Sequence, residues 1–134
     1  MKFYPLTFIP ILKDRIWGGT KLKSYLNKPI VSETTGESWE ISTVPGDVSI
    51  VATGVFKGKN INEIIDLYPL EILGKSAIAR FGKQFPLLFK FIDAKEDLSI
   101  QLHPNDELAK ERHNSFGKTE MWYVMQADEA ARLV

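Results

Sequence analysis

The sequence predicts a mainly β fold with short helices, organised as a double-sheet jelly roll that is incomplete within these 134 residues. Three observations carry this expectation: apolar runs of strand length, period-two alternation of apolar and polar residues, and Gly, Pro and Asn turns that punctuate them. Five segments read as strands, whereas about eight close a jelly roll. Arg132-Leu133-Val134 reads as the opening of a further strand.

The first third is expected to be irregular and turn-rich, punctuated by Gly18-Gly19, Asn27-Lys28-Pro29 and Pro45-Gly46-Asp47. Ser38 to Thr43 and Val48 to Ala52 read as short strands. Asn62 to Tyr68 reads as a helix: Ile61, Ile64, Ile65 and Tyr68 share a face, Asn60 caps it and Pro69 closes it. A second short helix is expected over Leu70 to Phe81, with Gly74 as a potential break. Phe85 to Ile92 has the length and apolarity of a buried strand. After the polar turn Asp93 to Asp97, Leu98 to His103 forms the next strand and Pro104 ends it. Asn105 or Asp106 caps a short helix through Arg112, His113 to Gly117 is a loop, and Thr119 to Met125 is the last strand. No repeat or linker divides the chain, so residues 1–134 are expected to form one domain.

Composition narrows the function. Seventeen basic residues balance seventeen acidic ones, which argues against a broad nucleic-acid or membrane surface and leaves room for a local site for one small anion. The absence of cysteine excludes disulfides and thiolate metal sites and fits a reducing, cytoplasmic setting. The apolar start is interrupted by Pro5 and Pro10 and ended by Lys13, Asp14 and Arg15, with no small-residue cleavage site after it. No segment approaches the roughly 18 apolar residues of a membrane span.

Polar groups inside apolar strands are the informative feature. Lys90 lies within FPLLFKFI. It faces solvent from an edge strand or faces a site that pairs its charge, since an isolated buried ammonium is costly. In Leu98-Ser99-Ile100-Gln101-Leu102-His103 the apolar side chains take one face, and Ser99, Gln101 and His103 take the other. A solvated sheet face gives the same pattern. Chemistry adds that an amide oxygen at Gln101 and an imidazole at His103 can converge on a divalent ion. Lys118, Glu120 and Trp122 share a face of the last strand, so Glu120 supplies a carboxylate if the two strands are neighbours. Otherwise Lys118 and Glu120 form an exposed pair. His113 reads as a solvent-exposed loop residue.

Leu98-Ser99-Ile100-Gln101-Leu102-His103-Pro104-Asn105-Asp106, followed by Gly117-Lys118-Thr119-Glu120-Met121-Trp122-Tyr123, resembles the type I phosphomannose isomerases, which are cupin-fold enzymes. Arg15 to Gly19, Gly36 to Ser42 and Phe85 to Asp93 are similar to the same family in the same order, with the small bacterial form nearest. The resemblance implies an N-terminal portion of such an enzyme and a zinc held by Gln101, His103 and Glu120. It also implies a second histidine beyond Val134, whose position His113 does not match. It places substrate-phosphate contacts at Ser99 and Lys90, and polar pocket positions at Lys118 and Glu37, the candidates for the catalytic acid or base. The implied reaction interconverts mannose 6-phosphate and fructose 6-phosphate through an enediol, in carbohydrate metabolism. With one ligand missing, the 134 residues alone are expected to bind zinc weakly and to show no appreciable turnover, and open strand edges are expected to favour self-association.

Two other functions fit parts of the pattern. A cupin oxygenase would use iron with two histidines and one carboxylate, against which Gln101, Lys90 and Lys118 favour a phosphosugar site. A non-catalytic cupin binding module would keep the fold without turnover.

Overall fold

The computed structural model describes residues 3–133, which fall into two compact units that meet in the sequence at Leu98 and Ser99. Antiparallel sheets and short helices make up the described chain, the class the sequence predicts. No helix among the described residues is long and apolar enough to cross a membrane.

The first unit is built on a three-stranded antiparallel sheet. Its strands are β1 (Ile11–Gly19), β2 (Thr35–Ile41) and β5 (Phe89–Ile92), in the order β1-β2-β5. Between β1 and β2 lies the single-turn helix α1 (Lys21–Ser24). β2 is the central strand, pairing Leu12 with Ser38 and Lys13 with Glu37 on one side, and Glu37 with Ile92 and Trp39 with Lys90 on the other. The register slips after Lys13, and β1 rejoins the ladder at Gly19. Such an irregularity bends a strand and re-aims its side chains. It also explains why β1 is a strand where the sequence predicts irregular structure: the bent strand shows no clean alternation. The predicted Ser38–Thr43 strand begins earlier, at Thr35, and breaks at Ser42. There a small hairpin of β3 (Thr43–Val44) and β4 (Asp47–Val48) turns on Pro45-Gly46. Most of the predicted Val48–Ala52 strand is reduced to single bridges, Phe8 with Val51 and Ile50 with Asn60.

Those bridges lead into the core. α2 (Ile61–Leu67) buries Ile61, Ile64 and Ile65 as the spacing predicts, and it starts with a complete capping box. Asn60 Oδ1 accepts from Glu63 N–H and Glu63 returns the bond to Asn60 N–H, which satisfies two of the helix's orphan donors. Val51, Phe56 and Ile64 form the buried cluster, ringed by Phe3, Tyr4, Leu6, Phe8, Tyr68 and Ile72. α3 (Pro69–Phe81) starts on Pro69 and is kinked at Gly74, whose φ of 76° interrupts the helix where the sequence marks a potential break.

The second unit has one helix, α4 (Asp106–His113), capped by Asn105, whose side chain accepts from Leu108 N–H. His113 is therefore the exposed last residue of a helix, not a loop residue. Neither Leu98–His103 nor Thr119–Met125 forms a strand. A strand is held by its neighbours' backbone groups, and among the described residues neither segment has a ladder partner. Ile100 and Leu102 consequently stand in solvent, 91% and 100% exposed.

Candidate functional site

Two clusters of charged side chains, one in each unit, contain five of the seven predicted site residues: Glu37 and Lys90 in the first, His103, Lys118 and Glu120 in the second. In the first unit, Glu37 lies on the central strand with its side chain 7% exposed. Lys90 lies diagonally across the β2–β5 ladder, two residues before Glu37's partner Ile92, so both point to the same face. Lys90 Nζ donates to Glu37 Oε1 at 2.6 Å. Arg15 donates to Glu37 Oε2 at 2.6 Å, and Trp39 Nε1 donates to the same oxygen at 3.2 Å. Lys90 thus lies on an outer strand of the sheet, as an edge reading requires, but as a paired, half-buried cation and not one turned to solvent. Burial pushes the Glu37 carboxyl up, but the Lys90 hydrogen bond and charge, with Trp39 and Arg15, outweigh it and hold the group below the usual carboxylate range.

Gly36 makes this arrangement possible. A Cβ there would stand 2.6 Å from the Trp17 ring and 2.8 Å from Arg15 Cβ. Only a glycine lets β1's displaced residues pack this closely on β2. Sequence reasoning named Glu37 and Lys90 and gave no role to Arg15 or Trp39. The only signal for Arg15 was its place in the Arg15-Ile16-Trp17-Gly18-Gly19 segment.

The second unit brings His103, Lys118 and Glu120 together without a sheet. Lys118 N–H donates to Pro104 O, and Gly117 N–H donates to Asp106 Oδ1 at the start of α4. A Cβ on Gly117 would come within 2.5 Å of Asn105 backbone carbon, so glycine permits this close approach. His103 Nε2 lies 3.0 Å from Glu120 Oε2 and 3.2 Å from Lys118 Nζ, and Lys118 Nζ lies 2.8 Å from Glu120 Oε1. One nitrogen cannot serve both neighbours at once. A protonated Nε2 donates to Glu120, and a bare Nε2 accepts from Lys118. The Lys118 hydrogen bond, opposed by burial and reinforced by the charges of Lys118 and His103, holds the Glu120 carboxyl below its usual range.

Gln101 is turned elsewhere, its amide nitrogen donating to Ser99 Oγ at 3.1 Å. That bond uses the amide nitrogen and not the carbonyl oxygen, the atom suited to a metal. Among the described residues no three His, Cys, Asp or Glu side chains gather as a metal site. The donors nonetheless suit a cation. The Lys118 ammonium lies within reach of both, 3.2 Å from His103 Nε2 and 2.8 Å from Glu120 Oε1.

Residues 6–129 match the family model described as phosphomannose isomerase type I, catalytic domain. The chain belongs to this family. Across 130 residues it is 42% identical to the mannose-6-phosphate isomerase of Streptococcus mutans, covering 97% of this chain and 40% of that protein. The crystal structure of mannose 6-phosphate isomerase from Bacillus subtilis superposes with a TM-score of 0.74 at 41% identity, over 84% of this chain and 35% of that one. A mannose 6-phosphate isomerase from Salmonella typhimurium, bound to substrate (f6p) and a zinc atom, matches at 25% identity and TM-score 0.65, over 81% of this chain and 28% of that one. The chain therefore has the fold of the type I phosphomannose isomerases, the cupin architecture that the resemblance implied. It spans about 40% of the length of the bacterial curated relatives it matches.

Proposed function

We propose that this chain carries the zinc-ligand segment of an enzyme that interconverts mannose 6-phosphate and fructose 6-phosphate, with Gln101, His103 and Glu120 as the ligands present. The single observation that carries the reading is the His103–Lys118–Glu120 cluster, in which an ammonium lies within reach of a nitrogen and a carboxylate. Family membership supports it, as does the zinc and substrate recorded in the Salmonella relative's structure. Zinc, when bound, supplies a Lewis acid that polarises a sugar carbonyl.

The chain's own side chains account for the remaining work. For Gln101 to join the donor set, its carbonyl oxygen must turn toward His103, which leaves the amide free to stay with Ser99. Lys118 yields its place between His103 and Glu120 and becomes the group suited to hold or move the C1–C2 proton. Glu37 is the weaker candidate for that proton, because its lowered pKa makes it a poor base. Lys90, a half-buried lysine of the first unit, is suited to take a phosphate, and phosphate binding holds a sugar at a distance from its reacting carbons.

Zinc titrated into the metal-free chain tests the reading. Binding near one equivalent is expected, weakened at least about tenfold in His103→Ala and in Glu120→Gln. Zinc affinity unchanged in both variants rules the ligand set out. A coupled assay for fructose 6-phosphate, with added zinc, reports on turnover. The side chains of His103, Lys118 and Glu120 are 25%, 46% and 29% exposed, and a wet site weakens electrostatic stabilisation. The 134-residue chain is therefore expected to fall below the ordinary enzyme range of roughly 1–1000 per second.

A further inference from the structure

We propose that Arg15 is an anion-binding residue that acts with Lys90, the two cations anchored on one buried carboxylate and together presenting positive charge to a phosphate group. This inference rests on the reading of Lys90 as a phosphate contact and adds a second residue to it.

Arg15 and Lys90 bring two positive charges to the single negative charge of Glu37, so one positive charge is in excess. Exposure then decides where that excess is felt. Glu37's side chain is 7% exposed, whereas those of Lys90 and Arg15 are 21% and 37% exposed. An approaching anion meets the two cations, with the carboxylate behind them. Both carboxylate oxygens are already engaged, Oε1 by Lys90 and Oε2 by Arg15 and Trp39.

The third cation of this region does not share the role. Lys13 pairs with Asp47 at 2.5 Å and lies over the Trp39 ring, so its charge is balanced locally. Arg15 has N–H groups to spare, since the guanidinium carries five and its recorded bonds are to Glu37 and to the carbonyl of Asp14. Its planar fork suits a phosphate's paired oxygens, and a neighbouring lysine adds a point charge. The register slip after Lys13 and the missing side chain at Gly36 let Arg15 lie here, in space over Gly36 that it shares with the Trp17 ring.

The test is titration of inorganic phosphate into the 134-residue chain, followed by NMR at the Trp39 indole N–H, which is bonded to Glu37. Saturable binding is expected in the wild type, weakened about tenfold or more in Arg15→Met and in Lys90→Met. Arg15→Lys should recover part of the loss, and zinc affinity should be unchanged in Arg15→Met. Phosphate affinity that is unchanged in Arg15→Met but weakened in Lys90→Met overturns the role of Arg15 and leaves Lys90's standing. No binding to the wild type, or no change in either variant, overturns both. Should Arg15→Met fail to fold, modification of the wild type by an arginine-specific dicarbonyl, mapped by mass spectrometry, decides the matter. Phosphate is expected to protect Arg15, and equal labelling with and without phosphate sinks the proposal.

Discussion

The Glu37 cluster and the His103 cluster use the same ingredients, a carboxylate and two groups that neutralise it, yet they are built by opposite means. Glu37 sits on a central strand with ladders on both sides, and its partners are set by register. Glu120 is held by side-chain contacts with Lys118 and His103 on segments outside any helix or strand. The first carboxylate is buried and tied to three donors, and the second is partly solvated. Backbone pairing therefore delivers a rigid electrostatic site in one unit. In the other, the close approach of Gly117 and Lys118 to the start of α4 holds a looser, more solvated group.

The two units also differ in how much apolar side chain they bury. Ile64 is fully buried in the first unit among Val51 and Phe56. Ile64→Ala removes a branched side chain from a packed site and is expected to destabilise the first unit by about 2–5 kcal/mol in denaturant melts. A loss under about 1 kcal/mol would show that the core of the first unit can collapse around the gap.

Acid should act next on the buried carboxylate. Because Glu37's folded pKa lies below its ordinary value of 4.5, the ionised form is favoured in the folded state. The associated stability is present above that value and is lost as pH falls through the folded pKa. Acid unfolding monitored below pH 4.5 is expected to be shallower in Glu37→Gln than in the wild type. Superposable profiles would mean that Arg15 and Lys90 do not hold the charge in solution.

Helix caps test both units with one chemistry. Asn60→Ala breaks a reciprocal capping box on the helix that carries Ile64 and is expected to cost about 1 kcal/mol, read from the shift of the denaturation midpoint. Asn105→Ala removes a single bond from α4, which buries only Ala109, and its effect should be the smaller of the two.

How much of this was legible in the sequence follows the same division. α2 was readable to within a residue because its isoleucines, its Asn60 cap and Pro69 are local signals that agree. β1 was not, because a bent strand that leaves its ladder between Asp14 and Gly19 has no period to detect. The pairing of Lys90 with Glu37 spans 53 residues, and no spacing rule reaches that far, so the sequence left open whether Lys90 faced solvent or a partner. His103 and Glu120 were named from ligand chemistry on alternating faces and then from family motifs, and the structure brings them together. Among the described residues no strand pairing does this, and its place is taken by the contacts of Gly117 and Lys118 with the start of α4.

The alternation in Leu98–His103 gives the last and smallest prediction. Period two places Ile100 and Leu102 on an apolar face, and in a packed sheet each would contribute on the scale of Ile64. Here Leu102 is fully exposed, with no strand beside it among the described residues. Replacing an exposed leucine removes no buried area, so Leu102→Ser is expected to change stability by no more than about 0.5 kcal/mol. Hydrogen exchange at residues 99–103 should likewise show little protection, because no ladder holds those amides. A loss above about 1 kcal/mol, together with slow exchange in the segment, would mean that this face is covered in solution. The alternation would then report a real strand, Gln101 and His103 would share its other face, and the division between a strand-built cluster and a loop-built one would disappear.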